Sequence, residues 1–225
     1  MRQSGQGWVS LRQRYFDGHS AVDALSAYMK VEAGRPQFTG SQFNSWASGG
    51  LREPNAVTVD DILAVQFLSM RPYSQTLWDL AHGKRPAIEA ALACVPTGVS
   101  LWDDDGDRVE AALVAADKAY AAIKTVDGAG WVTAAKLLAR KRPNLVPVQD
   151  RVIFKAIGAD TFWRPLRNWL RADDNLDRLH QIRDQAGATP DQVPTLRVFD
   201  IVIWHAERPR RSRVGRQDVD DAPQD

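Results

Sequence analysis

Two glycines and a run of cations are the first residues whose types and spacing could do chemistry. In Val126-Asp-Gly-Ala-Gly-Trp-Val-Thr-Ala-Ala-Lys-Leu137, Gly128 and Gly130 flank the small Ala129. Glycine reaches backbone angles closed to other residues, so this spacing predicts a tight turn with a helix starting directly after it. The first N–H groups of a helix have no partner inside it and sit at the positive end of its dipole. Such a turn can hold a phosphate oxygen, and residues without side chains let a polyanion come close. From Trp131 to Arg171 the sequence carries nine basic residues, opposed only by Asp150 and Asp160. The pattern predicts a phosphate grip built from Gly128, Gly130, Trp131, Lys136, Arg140, Lys141, Arg142 and Arg151. The competing reading is a helix–helix turn followed by solvated cations.

Net charge is only +1 over 225 residues, so the whole molecule does not attract anions, and nucleic-acid contact has to come from a local basic face. The residues before the hairpin are acidic and those after it are basic, which suits one such face. The expected partner is the phosphate backbone of duplex DNA.

The spacing apolar-x-Gly-x-Gly-x-x-Thr-Ala-x-x-Leu resembles the hairpin of the helix-hairpin-helix DNA glycosylase superfamily. In that superfamily a Pro-Val-Asp segment soon follows and carries the catalytic aspartate. Val146-Pro147-Val148-Gln149-Asp150-Arg151-Val152 stands in the corresponding place here. The resemblance implies an all-α fold of two helical subdomains flanking a cleft, with the hairpin at its mouth. It also implies that residues 20–50 and 160–205 pack together. The chain as a whole also resembles an uncharacterised bacterial family known as a domain of unknown function. That resemblance rests on Gly130-Trp-Val-Thr-Ala134, Lys136-Leu-Leu-Ala-Arg-Lys-Arg-Pro143, Pro147-Val-Gln-Asp-Arg-Val152, Phe38-Thr-Gly40 and Arg197-Val-Phe-Asp200, and it implies no activity.

The resemblance divides the enzymatic alternatives. Bifunctional members place a lysine nucleophile two residues after the second hairpin glycine, where this chain has Val132. Lys136 lies one helical turn further on and is expected to face elsewhere, so lyase chemistry is not expected. A monofunctional glycosylase needs only the aspartate, beside a base flipped into a pocket. Counted from Pro147-Val148, Gln149 takes its place and Asp150 comes one residue late, which turns a helix by about 100°. A one-residue insertion in the preceding loop would align Asp150 instead. Asp150 is thus read either as the catalytic carboxylate or as the cap of the helix that begins at Arg151. Three functions stand: a DNA-binding protein, a monofunctional base-excision glycosylase using Asp150, and a non-catalytic protein-interaction module on the same fold.

Other chemistries find little support. His19, His82, His180 and His205 are scattered, and Asp103-Asp-Asp-Gly-Asp107 puts Val114 where a calcium loop would need its twelfth-position glutamate, so no metal is expected. No cofactor is expected. Gly83-Lys84 lacks the remainder of a phosphate-binding loop, and no nucleophilic serine elbow occurs. Cys94 sits in the apolar run Ala90 to Val95 and is expected to be a buried structural thiol, which suits a reducing cytoplasm. No window approaches the roughly 18 apolar residues of a membrane span, and the N-terminus lacks the apolar core of a signal peptide.

The elements that must position these residues read as helices. Ala21 to Val31 is one, with Ser20 as its cap. A short helix passes through Phe43 and Trp46. Thr58 caps the next, whose first turn holds Asp60 and Asp61. Gln75–Leu80 and Pro86–Val95 follow, then a helix over 107–125. After the hairpin come Trp131–Lys141, Gln149–Ile157, Phe162–Arg171, Asn175–Ala186 and Leu196–Glu207. Trp163 and Trp169 are expected in the core. Residues 1–17 read as a loose arm, 18–205 as one helical domain with the hairpin unit at about 107–141, and 206–225 as a disordered charged tail.

Overall fold

The computed structural model describes residue 8, residues 10–157 and residues 162–208. Residues 1–7 and 9 of the expected arm and most of the expected tail's residues 206–225 lie outside these. The part of the arm within them is no loose segment. Leu11–Tyr15 forms helix α1, and Leu11, Tyr15 and Phe16 are buried. Apolar residues at helical spacing within a polar stretch are enough to dock it.

Helix α2 covers Ser20–Met29. Two-residue strands β1 (Val31–Glu32) and β2 (Arg35–Pro36) then pair antiparallel around Ala33 and Gly34, which both take positive φ. Short 3-10 turns over Thr39–Gln42, Trp46–Ser48 and Gly50–Arg52 lead to α3, Val59–Phe67. Here Thr58 and Asp61 cap each other's backbone, a capping box that fixes the start of the helix. Helix α4 (Ser74–Trp78) runs into a single π turn, Asp79–Gly83, and α5 is Arg85–Ala93, with Pro86 in its first turn.

Helix α6, Gly106–Lys124, starts where Asp105 accepts the Arg108 N–H at 3.0 Å. The acidic run before it therefore works as a cap. After the hairpin come α7 (Gly130–Lys141), α8 (Arg151–Ile157), α9 (Trp163–Arg171), α10 (Asn175–Gln185) and α11 (Thr195–Glu207). The protein is mostly helical, as the apolar spacing indicates.

One apolar core runs through the chain. On one side α2, α10 and α11 pack together, so segments from both ends of the described chain share a layer. On the other side α5, α6 and α7 stack in sequence order, and α3 leans on α7. Helix α8 packs on α11. Trp163 and Trp169 are both buried. Cys94 is a correction: it is exposed. It caps the C-terminal end of α5, and the apolar face of that helix is filled by Ile88 and Leu92 instead.

Candidate functional site

The hairpin closes Val126 to Gly130 between α6 and α7. Gly128 has φ +74° and Gly130 φ +56°, so both need the conformation that only glycine adopts without strain. Their surroundings differ. A side chain at Gly128 would collide with the Thr76 hydroxyl, which donates to the Asp127 carbonyl at 2.8 Å. Gly128 therefore makes room for α4, not for DNA. Around Gly130 the space is open, and this end of the hairpin is the accessible one.

The structure corrects the expected basic surface. Lys136, Arg140, Lys141 and Arg142 are all buried. Arg140 Nε donates to Asp61 Oδ1 at 2.9 Å, and the other guanidinium nitrogens reach the carbonyls of Phe43 and Trp46. Lys141 pairs with Asp61 Oδ2 and reaches the Glu53 and Gly50 carbonyls. Arg142 donates to the carbonyls of Leu92, Val95 and Pro54 and to Asn55 Oδ1. Burial lowers its pKa to about 10. These three cations hold chain segments in place and offer nothing to an external phosphate. Arg164 pairs with Glu110, and Arg167 and Arg171 donate to the Asp103 carbonyl. Of the nine cations, Arg151 and Lys155 on α8 are exposed and form no ion pair among the described residues.

Beside the open end of the hairpin lies a cleft of about 500 Å³. The N-terminal half of α7 forms one wall, with Trp131, Val132 and Lys136. The start of α8 and the segment before it form a second, with Asp150. Helix α11 supplies Arg197, Asp200 and Trp204, and Tyr28 and Phe38 close the far side. Gly40 lets that side pack tightly, because any side chain there would strike the Tyr28 hydroxyl.

Asp150 caps its helix and also lines the cleft. Its Oδ1 accepts the N–H groups of Val152 and Ile153 at 2.8 and 2.9 Å and so caps α8. The same carboxyl lines the cleft, and its Oδ2 accepts no hydrogen bond among the described residues. Gln149 is buried and does not line the cleft. Rotation about a helix axis does not apply at these positions, because α8 begins only at Arg151.

Lys136 is a second correction. Residues four apart share a helix face, so Val132 and Lys136 point into the same cleft. Lys136 Nζ donates to the Leu68 carbonyl at 2.8 Å. Burial pulls its pKa down to about 8, against the opposing attraction of Asp150. Unfolding frees this amine to its ordinary value of 10.5. Between those values the unfolded chain binds more protons, so stability should rise with pH from about 8 to 10.5. The shift corresponds to at most about 3.5 kcal/mol. Lys136→Met should abolish that rise, as read by denaturant unfolding at a series of pH values. A stability difference between variant and parent that stays constant across this range would refute the assignment.

Asp200 and Arg197 are functional candidates that the spacing argument passed over. Both are buried on α11, three residues apart, with Arg197 Nη1 donating to Asp200 Oδ1. Arg197 Nη2 also donates to the Tyr28 hydroxyl at 3.1 Å. Burial pushes the Asp200 carboxyl up to about 8, although Arg197 opposes the shift. The Val148 N–H pulls weakly in the same direction as Arg197, yet Asp200 Oδ2 has no hydrogen-bond partner among the described residues. An Arg-x-x-Asp pair inside an otherwise apolar helix was the available signal.

Aromatic rings line two walls. Tyr28 and Phe38 stack at 5.4 Å, with Trp204 edge-on to both at 5.9 and 5.7 Å. Trp131 stands against Phe154 at 6.0 Å across the α7–α8 wall. The cleft therefore joins flat apolar surface to a few carboxyl and amino groups. Its residues all fall within residues 21–207, which a family model matches. The chain belongs to DUF6308, a family of unknown function. No curated protein and no solved structure matches it. In this DUF6308 chain the cleft walls run from Tyr28 to Trp204, all inside the matched range. Among the described residues no helix is long and apolar enough to cross a membrane.

Proposed function

We propose that this chain holds duplex DNA across the mouth of the cleft and hydrolyses the N-glycosidic bond of a nucleotide whose base enters it. Asp150 carries this reading. Its carboxyl lines the same cleft as Gly130 and Trp131, at the start of the helix that displays Arg151 and Lys155. The helix N–H groups occupy Oδ1, and Oδ2 is the oxygen left for the reaction.

As the bond between sugar C1′ and the base nitrogen lengthens, positive charge develops on the sugar. A carboxylate close to it stabilises that charge, as in other glycosyl cleavages. Water then bonds to C1′ through oxygen, and its proton ends on the departing base. A base must leave the stack to be reached, and the rings of the cleft replace the stacking it loses. Gly130 with Arg151 and Lys155 provides the phosphate contact, in place of the wider basic patch suggested by the charges alone. The reading resembles that of the helix-hairpin-helix glycosylases.

The test is base release from a panel of damaged duplexes. The chain should release at least one base, and Asp150→Asn should slow release by about 10²–10⁴-fold while duplex retention is kept. Arg151→Glu combined with Lys155→Glu should weaken retention and lower the salt slope by about 2. No release from any lesion, or unchanged release by Asp150→Asn, would overturn the hydrolytic reading. Retention without release would leave DNA binding as the function.

A further inference from the structure

Asp200 plays no part in the hydrolysis just described, yet the cleft is built around it. Its side chain is 2% exposed, Oδ1 is engaged by Arg197, and Oδ2 is buried without a partner among the described residues, in a residue that lines the cleft. Burying a polar oxygen with no hydrogen bond costs on the order of 1–3 kcal/mol, so such an atom calls for an explanation. Trp204 lies four residues further along α11, on the same helix face, and stands edge-on to the Tyr28–Phe38 stack. A flat apolar surface and one uncommitted oxygen thus adjoin each other.

We propose that Asp200 Oδ2 is the polar reader of this cleft, hydrogen-bonded to the edge of a planar nitrogen heterocycle packed against Trp204 and the Tyr28–Phe38 pair. The inference rests on the reading that the cleft takes a base and adds which edge of the ring is read. Because Oδ1 accepts from Arg197, the proton that burial favours sits on Oδ2. At neutral pH the acid then donates, and the ring offers an acceptor, a ring nitrogen or a carbonyl oxygen. Above about pH 8 the acid ionises and repels the same acceptor. The groups that face it are Arg197 on α11, Tyr28 on α2, Lys136 on α7 and Asp150 at the start of α8.

The experiment uses free rings and the full chain, with no DNA present. Adenine, purine and their deaza analogues, in which one ring nitrogen becomes C–H, are titrated while tryptophan fluorescence is followed. One deaza substitution should weaken binding about tenfold, the value of a single lost hydrogen bond of about 1.4 kcal/mol. Binding of the parent ring should fall about tenfold between pH 7 and pH 9. Asp200→Asn keeps an oxygen for Arg197 and an N–H in place of the acid proton, so it should bind the parent ring with no dependence on pH in this range. Asp200→Leu should lose the preference for the ring nitrogen, and Lys136→Met should keep a fall in binding with pH but move it to higher pH, because Lys136 helps to hold the Asp200 pKa down. Equal binding of all deaza analogues, a pH profile unchanged in Asp200→Asn, or no binding of any free ring at millimolar concentration would overturn the inference. Ring selectivity without base release would leave it standing and remove the hydrolytic reading. Base release with no such selectivity would do the reverse.

Discussion

Asp61→Ala is expected to cost about 3–5 kcal/mol of folding stability, measured by denaturant unfolding, because it strips two buried cations of the carboxylate they pair with. Asp61 is 1% exposed, and Arg140 and Lys141 pair with its two oxygens. Burial already lowers the pKa of Lys141, and Asp61 is the main opposing influence. The same carboxylate also closes the capping box of α3, so the substitution loses that cap as well. Domains of this size are stable by only about 5–15 kcal/mol, so the variant should unfold early or fail to accumulate. A loss below about 1 kcal/mol would mean that water replaces Asp61 at the two cations, contrary to their burial.

Gly50→Ala is expected to be damaging for a related reason. A Cβ at Gly50 would overlap the backbone carbonyl of Arg140, which cannot rotate away as a side chain could. Overpacking of this kind costs about 1–3 kcal/mol. Here the clash would also push the Gly50 carbonyl from Lys141, so the upper end is expected. Because Gly50, Arg140, Lys141 and Asp61 form one contact set, Gly50→Ala and Asp61→Ala should be sub-additive when combined. Strict additivity in a double-mutant cycle would show that the loop and the ion cluster are independent.

The same cluster marks where sequence and structure part. Helix starts were legible because their signals are local: Thr58 before α3 with Asp61 in its first turn, and Pro86 in the first turn of α5. The neighbourhood of the hairpin and Asp150 was legible through spacing. The fate of Arg140, Lys141 and Arg142 was not, because most of their partners are backbone carbonyls, which every residue carries and no sequence pattern marks. Three adjacent cations therefore looked like a face for phosphate. Lys136 was misjudged for a different reason, since one helical turn returns a side chain to the same face. The short β1–β2 pair, only two residues per strand, is too brief for an alternating pattern to reveal.

The position of α11 has a consequence for biosynthesis. This helix brings Arg197, Asp200 and Trp204 to the cleft and buries Phe199, Ile201 and Ile203 in the core, and it is the last described element to be translated. A nascent chain that has not yet produced residue 195 has the hairpin and Asp150 but lacks one cleft wall and the partner surface of α2. Domains complete their packing as units, and unfinished ones expose apolar surface to aggregation and to chaperones. The site therefore comes into being late, with the closing of the fold itself, and a ribosome-bound intermediate carries the hairpin without a finished cleft.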